Sequence, residues 1–167
     1  DAGDELDLRV VASLWWNREQ GLEQIDNLIA LRDEFNNGGN LRPTTVKIMQ
    51  DGVLENYTGA LLGPYLVASG TKGIPMVESK LLKQAVTALD ARGFQVHFHA
   101  IGDAAVRQSL DAIEEALLEN GQLGNRHHIS HLQLVHPDDH ASDLKQRQPS
   151  ADALLQQHAG EPSHGQA

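Results

Sequence analysis

The chain contains no cysteine. Disulfides and thiolate metal sites are therefore excluded, any metal must be held by nitrogen and oxygen ligands, and the redox compartment stays undetermined. Positive charge is also scarce: 13 Lys and Arg stand against 23 Asp and Glu, for a formal net charge of -10. With no compensating basic patch, a phosphate backbone would be repelled, which argues against a nucleic-acid partner. No apolar run approaches the length of a membrane span and no charged-then-apolar leader resembles a signal peptide, so the expectation is a soluble, cytoplasmic chain with no membrane partner. Neither a fixed-period repeat nor a glycine-rich phosphate loop is evident. The first residue is Asp1 rather than Met, and the chain is expected to be a piece of a longer product.

Histidine, by contrast, is concentrated. Seven of the nine lie between His97 and His140, a weak pointer to a site. Gln95 to Asp103 reads Gln-Val-His-Phe-His-Ala-Ile-Gly-Asp. In an extended chain Val96, Phe98 and Ala100 point one way and His97 and His99 the other, so two imidazoles share a face. Gly102 allows a tight turn, and Asp103 is placed to cap the helix that follows. Such a strand delivers its histidines to its C-terminal end, where parallel α/β folds site their chemistry. A lone histidine on a strand is more often a hydrogen-bonded core or rim residue than a ligand. The second cluster, Arg126-His127-His128-Ile129-Ser130-His131, shifts the balance, because it reads as the next parallel strand one helix downstream. Alternation there places His127 and Ile129 with His131 and turns His128 to the helix layer. His136 and His140 follow the strand and receive no ligand role.

Hydrophobic residues make up 40% of the 167, enough to bury a core. Leu8 to Trp16 reads as a buried strand, Glu19 to Phe35 as an amphipathic helix, and Thr44 to Met49 as a second strand. Lys47 at its centre, taken alone, reads as a solvent-pointing lysine on an edge strand. Asp51-Gly52 signals a turn, and the long glycine-containing segment up to about Pro75 suggests a functional loop such as an active-site lid. Helices are expected over Val77 to Arg92 and Asp103 to Glu119, then a strand over His127 to Leu134, with His136-Pro137-Asp138-Asp139 opening another helix. Residues 1–145 are read as the structured unit. Residues 146–167 are read as a disordered or non-family tail, with a short helix over Ala151 to His158 as an option.

Four strands separated by helices make an α/β fold with about four parallel strands and outer helices. A closed barrel of this kind needs about 250 residues. The expectation is therefore a partial TIM-like (β/α)8 barrel, with an open flavodoxin-like sheet as the alternative.

Three motifs then carry a resemblance: Val46-Lys47-Ile48-Met49-Gln50-Asp51-Gly52-Val53-Leu54-Glu55, Val96-His97-Phe98-His99-Ala100-Ile101-Gly102-Asp103, and Arg126-His127-His128-Ile129-Ser130-His131-Leu132-Gln133. Together, and in this order, they resemble an internal fragment of the amidohydrolase superfamily, in the YtcJ-like branch of metal-dependent hydrolases known as amidohydrolase family 3. The resemblance covers roughly residues 8–140. It implies a TIM-like barrel with a metal centre at its C-terminal mouth. On that resemblance Lys47 matches a strand-four lysine that is commonly carboxylated to bridge two metal ions, while His99 and His131 match the ligands on strands five and six. The chemistry is consistent with this, because only a neutral amine reacts with carbon dioxide, an exposed lysine titrates near 10.4, and burial beside cations lowers it. The implied cofactor is a divalent metal, zinc by its suitability for imidazole and oxygen ligands, as one or two ions. His97 is either an orienting partner of a ligand or substrate, or a buried hydrogen-bonded histidine, and Asp103 is foremost a helix cap. The family's upstream His-x-His strand and its proton-shuttling aspartate are not found here, and Ser130 stands where many relatives have glutamate.

The function implied is part of a hydrolase that cleaves small-molecule amide-like substrates at a carbon-nitrogen bond, with a metal-activated water. The chain alone is expected to be inactive and prone to self-association. The rival expectation is a non-catalytic α/β fragment or interaction module whose histidines are structural.

Overall fold

The computed structural model describes residues 8–36, 38–67 and 70–140. The expectations for residues 1–7 and for the tail 146–167, including a helix over Ala151 to His158, lie outside the described residues.

Four strands, β1 (Val10–Trp15), β2 (Leu41–Met49), β3 (Gln95–Ala100) and β4 (His128–His131), form one parallel sheet in the order β1-β2-β3-β4. Helices α1 (Ile25–Phe35), α2 (Ser79–Asp90) and α3 (Asp103–Asn120) fill the three crossovers. A sequential order without reversal is what an arc of a TIM-like barrel requires, and a flavodoxin-like 2-1-3-4-5 sheet lacks it. The alternative fold is thereby set aside.

The two faces of the sheet differ as the sequence pattern demands. Val46, Ile48, Val96 and Phe98, at alternate positions of β2 and β3, are fully buried, as are Leu82, Ala85, Val86 and Leu89 of α2. Helices α2 and α3 pack on β3 and on each other. Ile129 of β4 packs on the same side, against Ala60, Ala100, Ala105 and Val106. On the other face Trp15, Lys47, His97 and His128 stand in one row across the four strands. That face is more open, with Trp15 61% exposed.

Three expectations about the strands need correction. The first strand is an edge strand whose residues are exposed or half-buried rather than buried. Lys47 does not lie on an edge, because β2 sits between β1 and β3. The fourth strand stops at His131 instead of Leu134, because His131 and Leu132 adopt φ of 81 and 49, left-handed backbone that cannot continue a ladder. A further irregularity lies between β1 and β2, where the register steps from Val11↔Arg42 to Ser13↔Thr45. The extra residue on β2 falls beside Pro43, which has no N–H to give a ladder.

The segment from His136 onward forms a separate unit. Its described part is a single 3-10 turn, Pro137–Asp139, where a helix start was expected; the Asp138 N–H donates to Nδ1 of His136 at 3.3 Å.

Candidate metal centre

Strand register sets Lys47 and the histidines on neighbouring strands. Lys47 pairs with His97 and His97 with His128; Met49 pairs with His99 and His99 with Ser130. All of these side chains sit on the face turned from the helices. The Lys47 Nζ lies 3.0 Å from Nε2 of His97, and that same nitrogen is 2.6 Å from the Ser130 Oγ. The His97 and His128 rings stack at 4.2 Å between centroids.

The expected phase of the last strand is therefore wrong by one residue. His128, not His127, joins the histidine face. His127 is buried with its Nε2 2.9 Å from the Asp90 carboxylate of α2, and Ile129 enters the helix-side core. By strict alternation His131 should follow them. Its left-handed φ turns the backbone instead, and its ring comes to lie 4.5 Å from that of His99. A non-glycine residue in that region costs about 1–3 kcal/mol, and such outliers gather at functional sites.

His99 is buried, at 7% exposure. Its Nε2 is 3.0 Å from the Gly52 carbonyl and 3.5 Å from Oδ1 of Asp51. Asp51 is fully buried and was read from sequence only as part of a turn. Its Oδ1 accepts the Ile101 N–H at 3.0 Å, and its Oδ2 accepts the N–H groups of Gly102 at 2.8 Å and Ala60 at 2.9 Å. What could have flagged it is position: an aspartate at the C-terminal end of a buried strand lies where such folds place functional groups.

Asp103 does not cap α3. The N-cap is Gly102, with no side-chain cap, and the Asp103 carboxylate accepts the Leu62 N–H at 2.9 Å. The helix end is closed by a loop carbonyl, since the Ala104 N–H donates to Ala60 at 3.1 Å.

The electrostatics favour uncharged ligand forms. Burial lowers the Lys47 amine below its usual 10.5. His97 is pushed down from 6.5 to about 4, first by burial and then by Lys47, His128 and His131. His131 is lowered by burial, then by His99 and Lys47, with Asp51 opposing. Crowding several basic groups on a half-buried face penalises each added proton. Neutral imidazole is the form that binds metal, and a neutral amine is the form that takes up carbon dioxide. Among the described residues no three His, Asp or Glu side chains form a metal-holding group. Lys47 also lies on this face, and its amine would become an oxygen donor only on carboxylation. With that condition, the donor set fits a divalent cation such as zinc.

A model of the amidohydrolase family matches residues 1–164. The chain belongs to the amidohydrolase family. It is similar to the exoenzymes regulatory protein AepA of Pectobacterium carotovorum subsp. carotovorum, with 35% identity over 115 residues, covering 69% of this chain and 24% of that protein. Among solved structures it resembles an uncharacterized metal-dependent hydrolase from Pyrococcus furiosus, with a TM-score of 0.60 and 32% identity over 80% of this chain and 26% of the other. A second, from Pyrococcus horikoshii OT3, has a TM-score of 0.61 and 28% identity over 80% of this chain and 25% of the other. The chain thus spans about a quarter of the length of these relatives. The solved neighbours carry metal dependence in their names.

Proposed function

We propose that this segment supplies part of the metal site of a hydrolase that cleaves amide-like carbon-nitrogen bonds in small molecules. The observation that carries the reading is the convergence of His99 and His131, rings 4.5 Å apart, at the C-terminal ends of β3 and β4, on the sheet face that also bears Lys47. His99 donates through Nε2 to the Gly52 carbonyl, which leaves Nδ1 as its nitrogen for a cation. His131 would bring its imidazole from the left-handed turn. Lys47, carboxylated, would add the anionic oxygens, with Nε2 of His97 beside its nitrogen and the Ser130 hydroxyl on that same imidazole nitrogen. A divalent cation held there, zinc as one or two ions, would supply a water of lowered pKa and a Lewis acid for a carbonyl oxygen. Asp103 takes an indirect part, fixing the 60–62 backbone beside the site. The acid-base group is not assigned to any residue of this chain. A cytoplasmic setting fits the reading; no helix among the described residues is long and apolar enough to cross a membrane.

A non-catalytic reading has its own support. No group of three acidic or histidine ligands forms among the described residues, and one relative is named for regulation. The experiment that separates the two uses the longer protein from which the segment derives. Metal content and amide hydrolysis are measured for the natural protein and for His99→Ala and His131→Ala. Loss of both metal and turnover in each variant supports the hydrolase; full metal content in either variant removes that residue from the site.

A further inference from the structure

We infer that Asp51 is a positioning residue that makes the β2–α2 loop, the β3–α3 turn and the His99 ring one rigid unit. Its carboxylate is wholly buried and faces three backbone N–H donors from two separate segments: Ala60 of the loop, and Ile101 and Gly102 of the turn. Hydrogen bonds to an ionised acceptor are about twice as strong as neutral ones, and leaving such a group without partners in the interior is costly. The same carboxylate stands 3.5 Å from Nε2 of His99, beside the Gly52 carbonyl that takes the ring proton. Both acceptors demand a proton on Nε2. Asp51 and the residue after it therefore fix the tautomer as well as the direction of the ring.

Around this hub the loop base is fastened repeatedly. Ala60 donates to Asp51 while its carbonyl receives the Ala104 N–H, and Leu62 N–H is held by Asp103. Gly102 lies so close that a Cβ there would come 2.0 Å from the Ala60 carbonyl oxygen. Leu61 and Met76 add backbone ties, to Lys72 and Gln50 respectively. A segment read from sequence as a lid thus has a base that is a fixed wall. Disturbing the carboxylate should move wall and imidazole together.

The effect on metal affinity rests on the proposal that His99 is a ligand; the coupling itself does not. The test uses the 15N-labelled 167-residue chain and its Asp51→Asn variant. Amide hydrogen exchange is followed at Ala60, Ile101 and Gly102, the His99 tautomer is read from long-range proton-nitrogen correlations at pH 8, and zinc affinity is measured by competition with a chelator. In the natural chain the three amides should open together and His99 should carry its proton on Nε2. In Asp51→Asn they should exchange about tenfold faster or more, and the His99 ring resonances should shift, with the Gly52 carbonyl as the remaining acceptor for Nε2. Zinc affinity should fall about 10–100-fold, as for other partners that orient a metal-binding histidine. Unchanged exchange at the three amides and unchanged His99 ring resonances in a folded variant, or unrelated opening rates for the three amides in the natural chain, would overturn the inference. If the variant does not fold, the rates and tautomer of the natural chain decide it. If the natural chain takes up no zinc, the His99 ligand reading is judged on the longer protein, and the exchange and tautomer results on this chain still judge Asp51.

Discussion

His127 and Asp90 form a buried pair at 2.9 Å, and the other ring nitrogen of His127, Nδ1, accepts the Val96 N–H at 3.0 Å. A ring that accepts at Nδ1 and donates at Nε2 is neutral. Asn120 and Asn125 complete the arrangement, donating to the Asp90 carboxylate at 2.8 and 2.6 Å. The cluster ties α2 to the start of β4, on the opposite side of the sheet from the histidine face.

Stability should therefore fall in acid. Burial lowers the His127 pKa below 6.5; the Asp90 carboxylate opposes this, but protonating Nδ1 would turn a donor against the Val96 N–H. Below pH 6.5 the unfolded chain binds a proton that the folded chain refuses, so stability rises with pH through the window from the folded pKa to about 6.5. Urea unfolding at pH 5 and pH 7.5 measures it. His127→Gln should cost about 1–3 kcal/mol at pH 7.5 by disturbing the buried hydrogen bonds, and should flatten the pH slope relative to the natural chain. An equal slope in the variant would show that the loss arises elsewhere, with His97, lowered to about 4, the leading candidate.

Much of this architecture was legible because it is local. The alternation of Val96, Phe98 and Ala100 with His97 and His99 defines β3 and its two faces, and the structure keeps both. Gly102 was readable as a turn. What escaped depends on partners far along the chain. The phase of β4 is set by pairing His128 with His97, and a four-residue strand ended by left-handed residues gives alternation too little length to reveal it. Asp51 finds its donors 9, 50 and 51 residues away. Lys47 looked like an edge residue because a lysine's neighbours in sequence do not reveal its neighbours across the sheet.

The core makes a simpler prediction. Phe98 is wholly buried in the row Ile48, Phe98, Ile129 on the helix side of the sheet. Phe98→Ala should destabilise the chain by about 3–5 kcal/mol, removing the buried surface and leaving a cavity. Denaturant midpoints check this, and a cost below about 1 kcal/mol would contradict the close packing described for this face.

Lys47 should be carboxylated in the longer protein when metal and bicarbonate are supplied. Its amine is lowered by burial and is held 3.0 Å from His97 instead of extending freely into water. Density for a carbamate in a metal-loaded crystal is the appropriate measurement, because the group is labile in mass spectrometry. An unmodified ammonium directed into solvent would remove Lys47 from the proposed ligand set. Ser130→Ala should reduce the carbamate occupancy, since it deletes the hydroxyl 2.6 Å from the same imidazole nitrogen.

The 167-residue chain by itself should show no measurable amide hydrolysis, should bind zinc weakly, and should associate with itself. Strands β1 and β4 are the edges of the sheet and offer backbone groups to another strand, while Val11 and Trp15 of β1 are each 61% exposed. Strand addition at β1 would cover these side chains. The proposed ligand set is also short: His99, His131 and a carboxylated Lys47 would hold a metal, and the acid-base group is assigned to none of the described residues. Hydrolysis needs metal, water and proton donor positioned together, and missing one of them is severe. Sedimentation over a range of concentrations should reveal oligomers. The chain is then assayed with zinc or manganese against N-acyl and N-formyl amides, beside the longer protein. Turnover comparable to the longer protein would mean that a complete catalytic apparatus lies within these residues, and Asp51, with its carboxylate next to His99, would be the first group to test for it.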